Sequence, residues 1–178
     1  MERIMHGGLA EAVRPALAEL SPSLQELAHC DYVLGADPIF IGLHAYEDCG
    51  DGRTRRQTAH ACWPHPFHLR KGEPPTVVLP SSREDIAAGS VSRAQITLEH
   101  EHFHIIDWAV FSRTGKWVAD WVDLPVVSDY AARDKQERFA CAGQRYIFPE
   151  RTDWGQVLSR DTRRFFDAFS EQGLAVFG

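Results

Sequence analysis

The period of the apolar positions changes about half-way along the chain. Leu9 to Leu20 has helical composition broken by Pro15, and Ser21-Pro22 supplies an N-cap followed by a proline at the first helical position. Two short helices ending near Cys30 are therefore expected. From Asp31 to Tyr46 the content turns β-rich: Tyr32, Val33 and Leu34, then Ile39, Phe40, Ile41 and Leu43, are punctuated by Gly35 and Pro38 and read as one or two strands. Cys49 to Pro75 mixes Gly, Arg, His and Pro without a sustained period and reads as a loop or irregular hairpin, and Thr76-Val77-Val78-Leu79 before Pro80 reads as a short buried strand.

The second half carries helical spacing. Ser92 with Gln95 three residues on makes a capping box, and Ile96, Phe103, Ile106 and Val110 recur at heptad-like intervals until Thr114-Gly115 ends the run. This predicts a long helix with one apolar face. A second helix is expected to start near Asp134 and stop before Pro149. A third should run from an Asp153 cap to about Gly173, burying Trp154, Leu158, Phe165 and Phe169. Together these elements predict one α+β domain over residues 1–178, with a small twisted sheet packed on the long helix and the C-terminal helices closing the core.

Composition narrows the function. The 178 residues are 44% hydrophobic, enough for a substantial core, and the net charge of −6 argues against a phosphate-backbone grip, so nucleic acid is not the expected partner. No apolar run is long enough to span a bilayer, and Met1 to Leu20 lacks a signal-peptide h-region, so no membrane partner is expected. Four cysteines without a CxxC pair imply no disulfide framework, which suits the cytoplasm or export by a dedicated secretion system. Oligomeric state is not legible.

The candidate chemistry sits on the long helix. His100-Glu101-His102-Phe103-His104 contains HExxH, which places His100 and His104 one turn apart on the same face, where two imidazoles can meet one metal, with Glu101 beside them as a proton acceptor for an attacking water. Chance would produce the motif roughly 0.03 times in a chain of this composition, which makes it fairly specific. Alternate histidines at 100, 102 and 104 would also share one face of a strand, but that strand would have no cleanly apolar side, whereas the helix sorts its residues. His102 is read as a surface or packing residue. Asp107 is placed to accept a spare imidazole N–H, or to stand solvated. Trp108, Trp117 and Trp121 read as core or cleft wall. Cys49 and His60-x-Cys62-x-x-His65-x-x-His68 offer metal-donor types, but Pro64 and Pro66 break the geometry, and a His-rich loop is the expectation.

Two histidines and a water leave one protein ligand to find, and the candidate is Glu137, which Asp134-x-x-Glu137 also explains as a capping box. Ser128-Asp129-Tyr130-Ala131 followed by Glu137-Arg138-Phe139-Ala140, downstream of HExxH, resembles the catalytic core of gluzincin metallopeptidases of the anthrax lethal factor type. Those proteins carry a Tyr seven residues before the ligand Glu, which opens an E-x-F-A helix. The likeness covers about Ile96 through Tyr146; Phe103 stands where a small Gly is common, and Cys141 where an acidic residue often follows.

The resemblance implies a zincin fold, zinc held by His100, His104 and Glu137, Glu101 as general base, and Tyr130 as hydroxyl donor to the tetrahedral oxyanion. It implies hydrolysis of peptide bonds in a protein or peptide substrate laid along a strand edge, in a protease that could act as a toxin or effector. Two alternatives stand beside it: a catalytically silent zincin-like binding module, and a repressor-cleaving regulatory metalloprotease. The register of the latter puts the ligand four residues before the Phe, where this chain has Lys135.

Overall fold

The computed structural model describes residues 2–4, 14–34, 46–48, 54–56, 75–79, 93–149 and 157–178, and these are predominantly helical. The chain forms two compact units, Met1–Pro15 with Cys30–Leu98, and Ala16–His29 with Glu99–Gly178.

The strands belong to the first unit. β1 (Glu2–Ile4) pairs antiparallel with β2 (Asp31–Leu34), and β2 pairs parallel with Thr76–Leu79 in the order β1, β2, Thr76–Leu79. Tyr32 and Val77 face each other in that register and both are fully buried, so the apolar runs at 31–34 and 76–79 do become strands. β3 (Tyr46–Asp48) and β4 (Thr54–Arg56) form a separate antiparallel hairpin, which makes Thr76–Leu79 β5. The expected strand content at Ile39 to Leu43, the Cys49 to His68 donors, the Ser92 cap and Trp154 lie outside the described residues. A zincin-like α+β architecture, with a twisted sheet packed on the active-site helix, is not supported by the described residues. Their strands are three or four residues long, and they fall in a different compact unit from the part of the long helix that bears the histidines.

The helices follow their caps. α1 (Arg14–Ala18) and α2 (Pro22–Leu27) end before Cys30 as expected; Ser21 Oγ accepts the Leu24 N–H, and Pro22 needs no partner for a missing donor. α3 (Arg93–Thr114) ends where Gly115 adopts φ 75° and donates its N–H to Phe111 O. α4 (Lys135–Ile147) starts at Asp134, whose carboxylate accepts the Glu137 N–H at 2.8 Å. α5 (Arg160–Gln172) is capped by Ser159, not Asp153, and Val157 and Leu158 precede it in non-helical backbone. Leu158, Phe166 and Phe169 are buried, and Phe165 is half-buried.

α3 departs from the expectation of a single apolar face. Every residue from Leu98 to Asp107 is buried, the acids and histidines included, so this is a central helix covered on all sides. Its contact with α4 is close because Gly143 has no side chain: a Cβ there would lie 2.3 Å from Phe103 Cδ1. Phe103 thus finds its space on the neighbouring helix. Its ring meets Phe139 and Phe166 edge to face, with centroids 5.6 and 6.1 Å away. Gly143→Ala is therefore expected to destabilise the fold by about 1–3 kcal/mol in denaturant unfolding. A double-mutant cycle with Phe103→Leu should recover part of that loss; strict additivity would show that the two positions do not compete for space.

Candidate metal centre

α3 and α4 deliver the site's side chains. His100 and His104 are one turn apart on α3, and both turn Nε2 towards the first turn of α4, where Glu137 stands. The capping and ligand roles proposed for Glu137 do not compete. Asp134 caps the helix through the Glu137 backbone N–H, leaving the Glu137 carboxylate free to face the histidines.

Three ligand atoms converge. Glu137 Oε2 lies 3.0 Å from His100 Nε2 and 3.4 Å from His104 Nε2, and the two Nε2 atoms are 3.1 Å apart. Among the described residues this is the one group of three or more donors close enough to hold a metal ion. The two histidines are buried and Glu137 is partly so.

Without a cation the group polarises itself. Burial lowers His100, and hydrogen bonding to Glu137 only partly offsets it. Burial also works to lower His104, but the bond to Glu137 and the charges of Glu101, Glu137 and Asp107 outweigh it and raise the imidazole to about 9. Burial would raise Glu137; its bonds to both histidines prevail and hold it well below the usual carboxylate range. In the metal-free group the ionised Glu137 carboxylate is thus balanced by a protonated His104, the place a bound cation would take.

Glu101 is buried next to His100, and that burial raises its carboxyl to about 8; the charge of His104 pulls it down and that of Glu137 pushes it up. Tyr130 is 42% exposed, its ring centroid 5.7 Å from that of His100, with the Arg133 guanidinium 4.5 Å over its face. Burial, the charges of Glu137 and Glu101 and a hydrogen bond with Glu137 hold the phenol above its ordinary value, relieved in part by Arg133, so it stays a neutral O–H donor. Of the five residues singled out by motif and resemblance, His100, His104 and Glu137 bring their ligand atoms together, Glu101 follows His100 on α3, and the Tyr130 ring lies beside that of His100.

The neighbours sort differently from expectation. His102 is fully buried, which excludes the surface reading, and it stands outside the donor group with Nδ1 3.7 Å from Glu99 Oε2; desolvation takes it down to about 3. Asp107 is buried rather than solvated, and its Oδ1 accepts the Val118 N–H at 2.8 Å, fastening α3 to the turn that follows it. Lys135 is paired with Asp120 at 2.6 Å, away from any ligand role. Trp117 stacks on Phe111 with centroids 4.3 Å apart, and Trp121 is 43% exposed beside Phe177. The residue that sequence reasoning did not assign to the site is Cys141, whose Sγ lies 4.0 Å from His100 Nδ1; its signals were a position one turn after Glu137 and a departure there from the acidic residue that the resembled proteins often carry. No helix among the described residues is long and apolar enough to cross a membrane.

Compared with known proteins, the chain matches no protein-family model and no curated protein.

Proposed function

We propose that the protein is a zinc-dependent metallopeptidase that hydrolyses peptide bonds of a protein or peptide substrate, with a core resembling gluzincins of the anthrax lethal factor type. The observation that carries this reading is the convergence of His100, His104 and Glu137 from two helices, with Glu101 buried beside them.

Zinc suits the donor set. Two imidazole nitrogens and one carboxylate oxygen are one of its established catalytic ligand sets, and a tetrahedral shell with bonds of ~2.0–2.1 Å has edges of about 3.3 Å. The three separations here, 3.0, 3.1 and 3.4 Å, fit such edges. Three protein ligands leave a fourth position for water, the mark of a catalytic rather than a structural site. Bound zinc supplies Lewis-acid polarisation of the scissile carbonyl and the attacking water.

The chain's own groups do the rest. Glu101 takes the proton from the attacking water and returns it to the leaving amine. Tyr130 donates its phenol O–H to the oxyanion that develops on the former carbonyl oxygen. Burial around Glu101 and the histidines strengthens each of these interactions by excluding water.

Elemental analysis of the purified chain is expected to find about one zinc per molecule, lost when His100→Ala and His104→Ala are combined. Full retention in that double variant would place the metal elsewhere and remove the basis of the proposal.

A further inference from the structure

Cys141 lies one helical turn after Glu137 on α4, is fully buried, and brings Sγ to 4.0 Å from His100 Nδ1. That nitrogen is the one turned away from the metal group, because His100 Nε2 is committed to it, 3.0 Å from Glu137 Oε2 and 3.1 Å from His104 Nε2. A cation held there takes the Nε2 lone pair, so the imidazole proton must reside on Nδ1. In metal sites that second ring N–H is ordinarily anchored by a carboxylate, a backbone carbonyl or a water, which fixes the tautomer and the ring plane. Here it faces sulfur.

We propose that Cys141 is a positioning residue of the metal centre, its sulfur accepting the His100 Nδ1–H and holding the ring in the tautomer and orientation that metal binding requires. The inference rests on the reading of His100, His104 and Glu137 as metal ligands. The sulfur is itself held in place: Ser128 donates its hydroxyl to Sγ at 3.9 Å while its Oγ accepts the Ala131 N–H at 3.0 Å. One sulfur thus links His100 to the helix of Glu137 and to the turn that carries Tyr130. The thiol remains protonated, because burial and the charges of Glu137, Asp134 and Glu101 outweigh the Ser128 bond and push it up to about 12. A neutral sulfur is a weaker acceptor than a carboxylate, so this support is real but modest, and an acid at the same position should improve it.

The test measures zinc affinity of the full chain by competition with a chromophoric chelator, for wild type, Cys141→Ala, Cys141→Asp and His100→Ala, with the melting temperature of each metal-free protein alongside. Cys141→Ala should weaken zinc about 10-fold and Cys141→Asp should tighten it by a similar factor. Neither change should follow the metal-free melting temperatures. In zinc-loaded wild type, nitrogen-15 NMR should find His100 as the Nδ1–H tautomer with that proton shielded from solvent exchange, and Cys141→Ala should expose it. If His100→Ala loses zinc while Cys141→Ala keeps both wild-type affinity and the shielded proton, Cys141 is a packing residue and this proposal fails while the metal centre stands. If His100→Ala binds zinc as tightly as wild type, the metal-centre reading fails first and takes this one with it. Should Cys141→Asp not fold, Cys141→Ala and the NMR signal still decide.

Discussion

Glu101→Gln is expected to lower peptide hydrolysis roughly 10³-fold, within the range that a positioned general base contributes, while leaving zinc content and fold unchanged. The amide matches the carboxylate in shape yet cannot take a proton from water. None of the three converging ligand atoms belongs to Glu101, so the metal should stay. The fold should tolerate the change because burial already raises this carboxyl to about 8, so near neutral pH the metal-free protein holds it mostly uncharged, as the amide would be. A bound cation reverses that balance and favours the carboxylate, the form that can act as a base. Turnover of candidate protein substrates, or mass-spectrometric detection of self-cleavage, measures the effect, with elemental analysis and melting temperature as controls. Equal cleavage by the Gln variant would remove Glu101 from the chemistry. No cleavage by either protein, with zinc bound in both, would favour the silent binding module.

What the sequence disclosed follows the range of the interactions involved. α2, α3 and α4 were legible because their signals are local: Ser21-Pro22, the Thr114-Gly115 stop and the Asp134 cap each act within one helical turn. The start of α5 was not, since Asp153 and Ser159 are both good capping residues and propensity alone does not choose between them. The all-round burial of α3 was hidden for a different reason. Glu99, Glu101, His102 and Asp107 are residue types that ordinarily stay in water, and the fold buries them by shifting them toward their neutral forms, with desolvation raising the three acids and lowering His102.

At the site, the four-residue spacing of His100 and His104 was enough to pair them. Glu137 is 37 residues from His100 and could be reached only by resemblance, because no pattern within one helix reports a contact between two. The same holds for Gly143 receiving Phe103 and for Cys141 behind His100, both of which exist only once α3 and α4 meet.

Tyr130→Phe is expected to lower turnover roughly 10²-fold, the scale of removing one oxyanion donor, with substrate affinity and zinc content unchanged. The hydroxyl has its task only when charge develops on the carbonyl oxygen, so its loss should fall on kcat and leave KM in place. The phenol is suited to that task as a hydrogen-bond donor that does not ionise: burial and the charges of Glu137 and Glu101 hold it above its ordinary value. The ring has a second role, packed between His100 and the Arg133 guanidinium. Tyr130→Ala should therefore cost more than Tyr130→Phe, adding lost positioning to the lost hydroxyl. Steady-state kinetics on the two variants separates the roles. If Tyr130→Phe keeps the wild-type kcat while Tyr130→Ala lowers the melting temperature, Tyr130 is a packing residue, and oxyanion stabilisation must come from another donor near the cation.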